Sequence, residues 1–156
     1  MGRQQYVVRT GAVALSANAT KSIILIPPSS SSLFTIVEIG FSIDSSVAAP
    51  AIGLELYAVT TLGSPAGTNF TPVLVKRGTS ITAQTGNGLI NLSTEPTTVE
   101  VIKDWFVPPT GLLVVQFPLG REPESFTGTS NRIGLRYVNP STGSTANYRA
   151  YIEFEE

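Results

Sequence analysis

Few side chains in this 156-residue sequence could do chemistry, and their surroundings argue against most of it. There is no His and no Cys. That excludes Ser-His-Asp and Cys-His nucleophiles, thiolate or imidazole zinc sites, iron–sulfur clusters and disulfides. The only Asp residues are Asp44 and Asp104. Asp44-Ser45-Ser46 has the outline of an aspartic-protease loop, but that chemistry needs two such loops sharing a proton. Asp104 is followed by Trp105, so Asp44 reads as the polar end of a strand. Glu122 and Glu124 flank Pro123 beside Arg121. Two carboxylates can serve a glycosidase, yet this pair sits in a breaker-rich segment without an aromatic cluster and reads as a solvated loop. Gly86-Asn87-Gly88 lacks the third Gly and the following helix of a phosphate-binding loop, and reads as a hairpin turn. Calcium asks for clustered oxygens, typically from Asp-rich loops, which two isolated Asp do not supply. The expectation is a protein with no catalytic residue, no metal and no cofactor.

What remains is contact chemistry. Trp105-Phe106, just before Pro108-Pro109, is the largest local aromatic unit, suited to the core or to a subunit contact. Pro118, Leu119, Gly120, Arg121 and Glu122 combine two breakers, an apolar residue and a charge pair. They read as a β-turn, or as a protruding docking loop with Leu119 as plug and Arg121 as a fork-shaped donor. The N-terminal arm, with Arg3 and Tyr6, is a further interface candidate, because a short segment with little to bury alone orders readily against a neighbour.

The elements that must position these residues are strands. Leu33–Asp44 alternates Val37, Ile39, Phe41 and Ile43 against Glu38, Gly40, Ser42 and Asp44, the period of a half-buried strand. Ile52–Thr60 repeats the pattern, with Leu54 and Leu56 inward and Glu55 and Tyr57 outward. Arg132–Val138 sends Ile133, Leu135 and Tyr137 inward; Asn147–Phe154 sends Tyr148, Ala150, Ile152 and Phe154 inward. Gln5–Arg9, Lys21–Ile26, Val73–Lys76, Ser80–Ala83 and Leu89–Leu92 are shorter strands. Leu62–Thr71 reads as a loop. Thr97–Val107 has a helix-like spacing but is rich in β-branched residues, and reads as a strand with a bulge near Lys103-Asp104. Leu112–Phe117 is apolar on both faces and is expected at the centre of a sheet. Eight or nine strands without a helix predict one all-β domain over residues 1–156, a sandwich or barrel of about eight strands with jelly-roll or Greek-key connections. Residues 1–10 form an extended N-terminal arm in that reading.

Composition bounds the partners. The charged fraction is 13% and the net charge −1, too little positive charge to hold phosphates, so no nucleic acid is expected. The longest apolar run, Ile23–Ile26, is far short of a membrane span. The opening residues lack the apolar stretch of a secretory signal. Tyr6 stands where a myristoylation motif wants Ser or Thr.

Three stretches together resemble a known group. They are Ala14-Leu15 with Asn18-Ala19-Thr20-Lys21, the run Gly111–Glu122 ending in Pro-Leu-Gly-Arg-Glu, and Arg132–Arg136 with Ala150–Glu156 ending in Phe-Glu-Glu. They resemble small all-β capsid decoration, or cement, proteins of tailed bacteriophages. The middle, from Ala48 to Asn91, carries none of the resemblance. The resemblance implies a non-enzymatic virion structural protein, made in the host cytoplasm and located on the capsid surface. Its partner would be the major capsid protein, and it would act as a homo-oligomer, with a trimer favoured. Other readings are a tail, baseplate or head-fibre component, or a carbohydrate-binding β-sandwich using Tyr57, Tyr137, Tyr148 and Tyr151. The inward parity of Tyr137 and Tyr148 weakens the last.

Overall fold

The computed structural model describes residues 4–28, 33–45, 49–75, 88–126, 131–140 and 146–156. Arg3, Ser29–Ser32, the expected strand Ser80–Ala83, and Asn87 of the hairpin turn lie outside them. The described residues form twelve strands and no helix. These are β1 (Gln5–Arg9), β2 (Val13–Ala14), β3 (Ala19–Ile26), β4 (Thr35–Ile43), β5 (Ile52–Thr61) and β6 (Ala66–Phe70). Then come β7 (Val73–Leu74), β8 (Gly88–Thr94), β9 (Thr98–Val107), β10 (Leu112–Gln116), β11 (Ile133–Asn139) and β12 (Asn147–Glu155). One sheet runs β10-β4-β12-β1-β7, with β2 also on β12; the other runs β6-β8-β3-β11-β5-β9.

The pairing is nested. β1 pairs with β12, β3 with β11, β4 with β10 and β5 with β9, all antiparallel. Successive pairs fall in alternate sheets. A long hairpin rolled in this way is a jelly roll, so these eight strands fulfil the expected all-β sandwich. The other four, β2, β6, β7 and β8, are additions to this plan. β6, β7 and β8 arise between β5 and β9. β8 and β6 extend one sheet beyond β3, and β7 extends the other beyond β1. β6 falls where Leu62–Thr71 read as a loop. Its Gly67 and Asn69 hide the strand from propensity, but β8 pairs with it along the sheet edge.

The core lies between the sheets. Ile39, Phe41, Leu54, Leu56, Ile133, Leu135, Ile152 and Phe154 are buried there, with Leu113 and Val115 partly buried against them. Tyr137 and Tyr148 point inward as their parity requires. Their rings meet at 5.4 Å. Burial of a phenol needs a partner for its hydroxyl. Tyr137 accepts from the Ser16 amide at 2.9 Å, and Tyr148 donates to Asn91 Oδ1 at 3.1 Å.

Several expectations need correction. In β4 a bulge leaves Val37 unopposed between the pairs Ile36–Phe154 and Glu38–Glu153. The phase shift buries both Ile36 and Ile39 and turns Val37 partly outward. Thr98–Val107 is a strand, and its extra residue is Ile102, one position before the expected bend: Lys103 opposes Leu56 while Val101 opposes Tyr57. Tyr57 sits on the outer face as read, yet is fully buried. It belongs to a second small cluster with Leu25, Val59 and Leu92. Its hydroxyl donates to Ser22 Oγ at 2.7 Å, and Arg136 lies 5.5 Å from its ring centre. Gly134 makes the room: a Cβ there would stand 2.4 Å from the Tyr57 ring.

The N-terminal arm also needs correction. Residues 5–9 are not an arm but an internal strand between β12 and β7. Tyr6 is 2% exposed and stacks on Phe154 at 5.7 Å, so it is core, not a surface contact. Its alternation with Val8 matches the inner face of β12, which gives the segment much to bury. An arm residue would tolerate truncation. Tyr6→Ala is instead expected to lower unfolding free energy by about 3 kcal/mol, as for other buried aromatics, measured by urea denaturation.

Candidate functional site

The two flanks of the sandwich differ. On one, β6, β7 and β8 extend both sheets. On the other, β9 and β10 are the terminal strands of their sheets. This corrects the expectation for Leu112–Phe117: β10 is an edge strand, and its outward residues are uncovered. Leu112 is 70% exposed and Val114 is also exposed. β10 reads Leu-Leu-Val-Val-Gln, with no charge, proline or bulge to blunt the edge. Edge strands left this way invite pairing or burial.

β9 continues the surface. Trp105 divides from its neighbour: it packs against the core, whereas Phe106 is 79% exposed. Val101 and Ile102 are exposed around the bulge. Lys103 bridges the two edges, its Nζ 5.4 Å from the ring centre of Phe117 at the end of β10. The turn Pro108–Gly111, closed by Gly111 N donating to Pro108 O at 2.9 Å, joins the strands between Phe106 and Leu112. Exposed large apolar side chains thus follow the flank along both strands. Single exposed apolar residues are ordinary; a row of them along open edges marks an interaction surface.

The Pro118–Glu122 segment stands at the end of this flank. Its stem is fastened to β4, with Phe117 N donating to Val37 O and Ile36 N to Pro123 O, both at 2.9 Å. The bulge at Val37 serves as the anchor point. Arg121 N donates to Pro118 O at 3.0 Å, and Gly120 takes φ 78° at the third turn position. This is the geometry of a type II turn, where glycine is favoured. Leu119 at its tip is 93% exposed. Pro118, Gly120 and Arg121 are exposed and Glu122 is half-buried. Arg121 forms no ion pair with the described residues. The structure therefore brings Pro118–Glu122 together with the apolar flank and separates Tyr6 from both.

The weighed chemical motifs stay apart. Asp44 Oδ1 accepts from the Asn147 amide. Thr35 bridges to Glu124 as an extension of β4 pairing. Among the described residues no three His, Cys, Asp or Glu side chains gather to hold a metal. No family model matches the chain, and no curated protein matches it.

Two groups on the outer face of the β4–β12–β1 sheet are electrostatically perturbed. Burial, and then the charge of Glu38, push the Glu153 carboxyl up, opposed by a hydrogen bond from Gln5 Nε2 at 2.9 Å. Burial also raises the Tyr151 phenol, reinforced by its hydrogen bond to Glu38 and by the charges of Glu38 and Glu153. Alternation puts Glu38 and Glu153 each on the outward face of its own strand, and only the register brings them together as direct partners. A carboxyl raised in the fold binds its proton more tightly there than in the unfolded chain. Its stabilising contribution is full at low pH and is lost as pH rises through the raised value. Glu153→Gln is expected to raise the melting temperature at pH 7 and to flatten its decline between pH 4 and 7, as measured by calorimetry.

Proposed function

We propose that this protein is a non-enzymatic structural protein that binds the outside of a bacteriophage capsid lattice and stabilises it. The observation that carries the proposal is the open β9–β10 flank with the anchored Leu119 turn at its end. A repeated lattice offers many copies of one docking patch. A rigid sandwich with one uncovered apolar edge suits such a patch, because the contact requires little ordering of the bound protein. The low charge lets many copies sit side by side without strong repulsion. The resemblance carried by Gly111–Glu122 covers β10 and the Leu119 turn, the same surface. In this reading the partner is the major capsid protein, and homo-oligomers, trimers favoured, multiply a modest contact at each foot. Binding only to the assembled shell raises its resistance to heat by mass action.

The test is to heat particles with and without the protein. Shells lacking it should form normally and open at lower temperature. Shells of equal stability would end the stabilising role, and failure to form shells would make the protein a building block. Leu112→Lys with Val114→Lys, both at exposed positions, should leave the melting temperature of the free protein within a few degrees. The pair should weaken particle binding by roughly a hundredfold, on the order of two lost hot-spot contacts.

A further inference from the structure

A second feature lies on the outer face of the β10-β4-β12-β1-β7 sheet and meets the apolar flank at β10. It is a groove of about 560 Å³. The register lays out its surroundings in three rows. The middle row crosses four strands as Arg9, Tyr151, Gly40 and Val114. On one side lie Arg149, Ser42 and Leu112; on the other lie Val73, Val7, Glu153, Glu38 and Gln116.

Three details make this an organised surface. First, Tyr151 is held flat against the sheet. A Cβ on Gly40 would stand 1.9 Å from Tyr151 Cε1, so the ring occupies the place of a missing side chain. Its hydroxyl is fixed by donating to Glu38 Oε1, which Gln116 Nε2 steadies by donating to Oε2 at 2.6 Å. Second, Arg9 and Arg149 occupy diagonal positions on adjacent antiparallel strands, where long side chains reach one another. Both line the groove and are exposed, and neither forms an ion pair with the described residues. Two neighbouring guanidinium groups that hold no ion pair favour an anion between them, with Glu153 at the other diagonal position to Arg9, in the next row. Third, Leu112 and Val73 form apolar walls at opposite sides.

The ligand class follows from what this face offers. The main-chain groups of interior strands are taken up in the ladders, so a peptide strand cannot add here as it does at an edge. A polyphosphate would meet the arginines but also the carboxylates of the next row, Glu38 and Glu153. A single carboxylate joined to a hydroxyl-rich ring satisfies both ends. The anion lies on Arg9 and Arg149, the apolar ring face stacks on Tyr151, and hydroxyls donate to Glu153 and meet Ser42. We infer that this groove binds an acidic sugar, a saccharide carrying one carboxylate. The inference does not depend on the capsid reading: its polar contacts are Arg9, Arg149, Tyr151 and Glu153, and the two surfaces meet only at β10, through Leu112 and Val114.

The test is a nuclear magnetic resonance titration of the intact protein. The probes are the methyl glycoside of N-acetylneuraminic acid, galacturonic acid, neutral galactose, sodium acetate and a glutamate-rich peptide. One or both sugar acids should give saturable shifts centred on Tyr151 and the amides of β4 and β12, and which of them does so identifies the acid. Arg149→Gln should weaken that binding by roughly tenfold or more, as for loss of a charged hydrogen bond. Esterifying the sugar's carboxylate should weaken it similarly, and Arg149→Gln should then add little. Tyr151→Ala, with an unchanged melting curve, should abolish it; if that variant melts early, Tyr151→Leu replaces it. The assignment is overturned if neither acid saturates, if galactose binds as well as the acids, if acetate alone matches them, or if the peptide binds more tightly.

Discussion

The structure depends on one pairing, that of β1 with β12. These strands are nearly the full chain apart, and five residues of β1 oppose five of β12 in register. Every other jelly-roll pair is nested inside this one. If β1 is displaced, Tyr6 and Val8 leave the core, Phe154 loses its stacking partner, and β7 has no neighbour. The cost of bringing such distant segments together is entropic and grows slowly with separation. It is offset by apolar burial on the inner face of both sheets. Topologies of this kind fold slowly, because the rewarding contacts are non-local.

Nesting also explains where the chain could be elaborated. The connection between β5 and β9 is the innermost one, so an insertion there need not disturb the outer pairs. β6, β7 and β8 occupy it and extend the sheet edges at β3 and β1. The same insertion leaves the β9 and β10 edges alone. One flank is built over and the other kept bare, and the bare one carries Phe106, Leu112, Val114 and the Leu119 turn.

Much of this was legible in the sequence, for reasons that also set the limits. Period-two alternation identified the inward residues of β5, β11 and β12, because one side of each strand meets the opposite sheet. It missed Ile36, since a bulge at Val37 changes the phase and no local signal marks it. It placed Tyr57 outward correctly but could not show that Leu25, Val59 and Leu92 close over it, because they come from three strands. Leu112–Phe117 was misread for a different reason. The rule that a doubly apolar strand is covered on both faces assumes that the cover comes from the same chain. The described residues supply none over Leu112 and Val114. The acidic and basic residues of the sheet-face groove were invisible as a group. Arg9, Glu38 and Arg149 are neighbours only through the register of three strands.

The pairing of the first strand with the last has a mechanical consequence. Gln4 and Glu156 exchange two main-chain hydrogen bonds, each 3.1 Å, so residues 4 and 156 leave the sandwich side by side. Ladder bonds of antiparallel strands run across the strand direction. A force drawing these two residues apart therefore loads the bonds one after another, like opening a zip. The fold is therefore weak to tension at the pole where residues 4 and 156 meet.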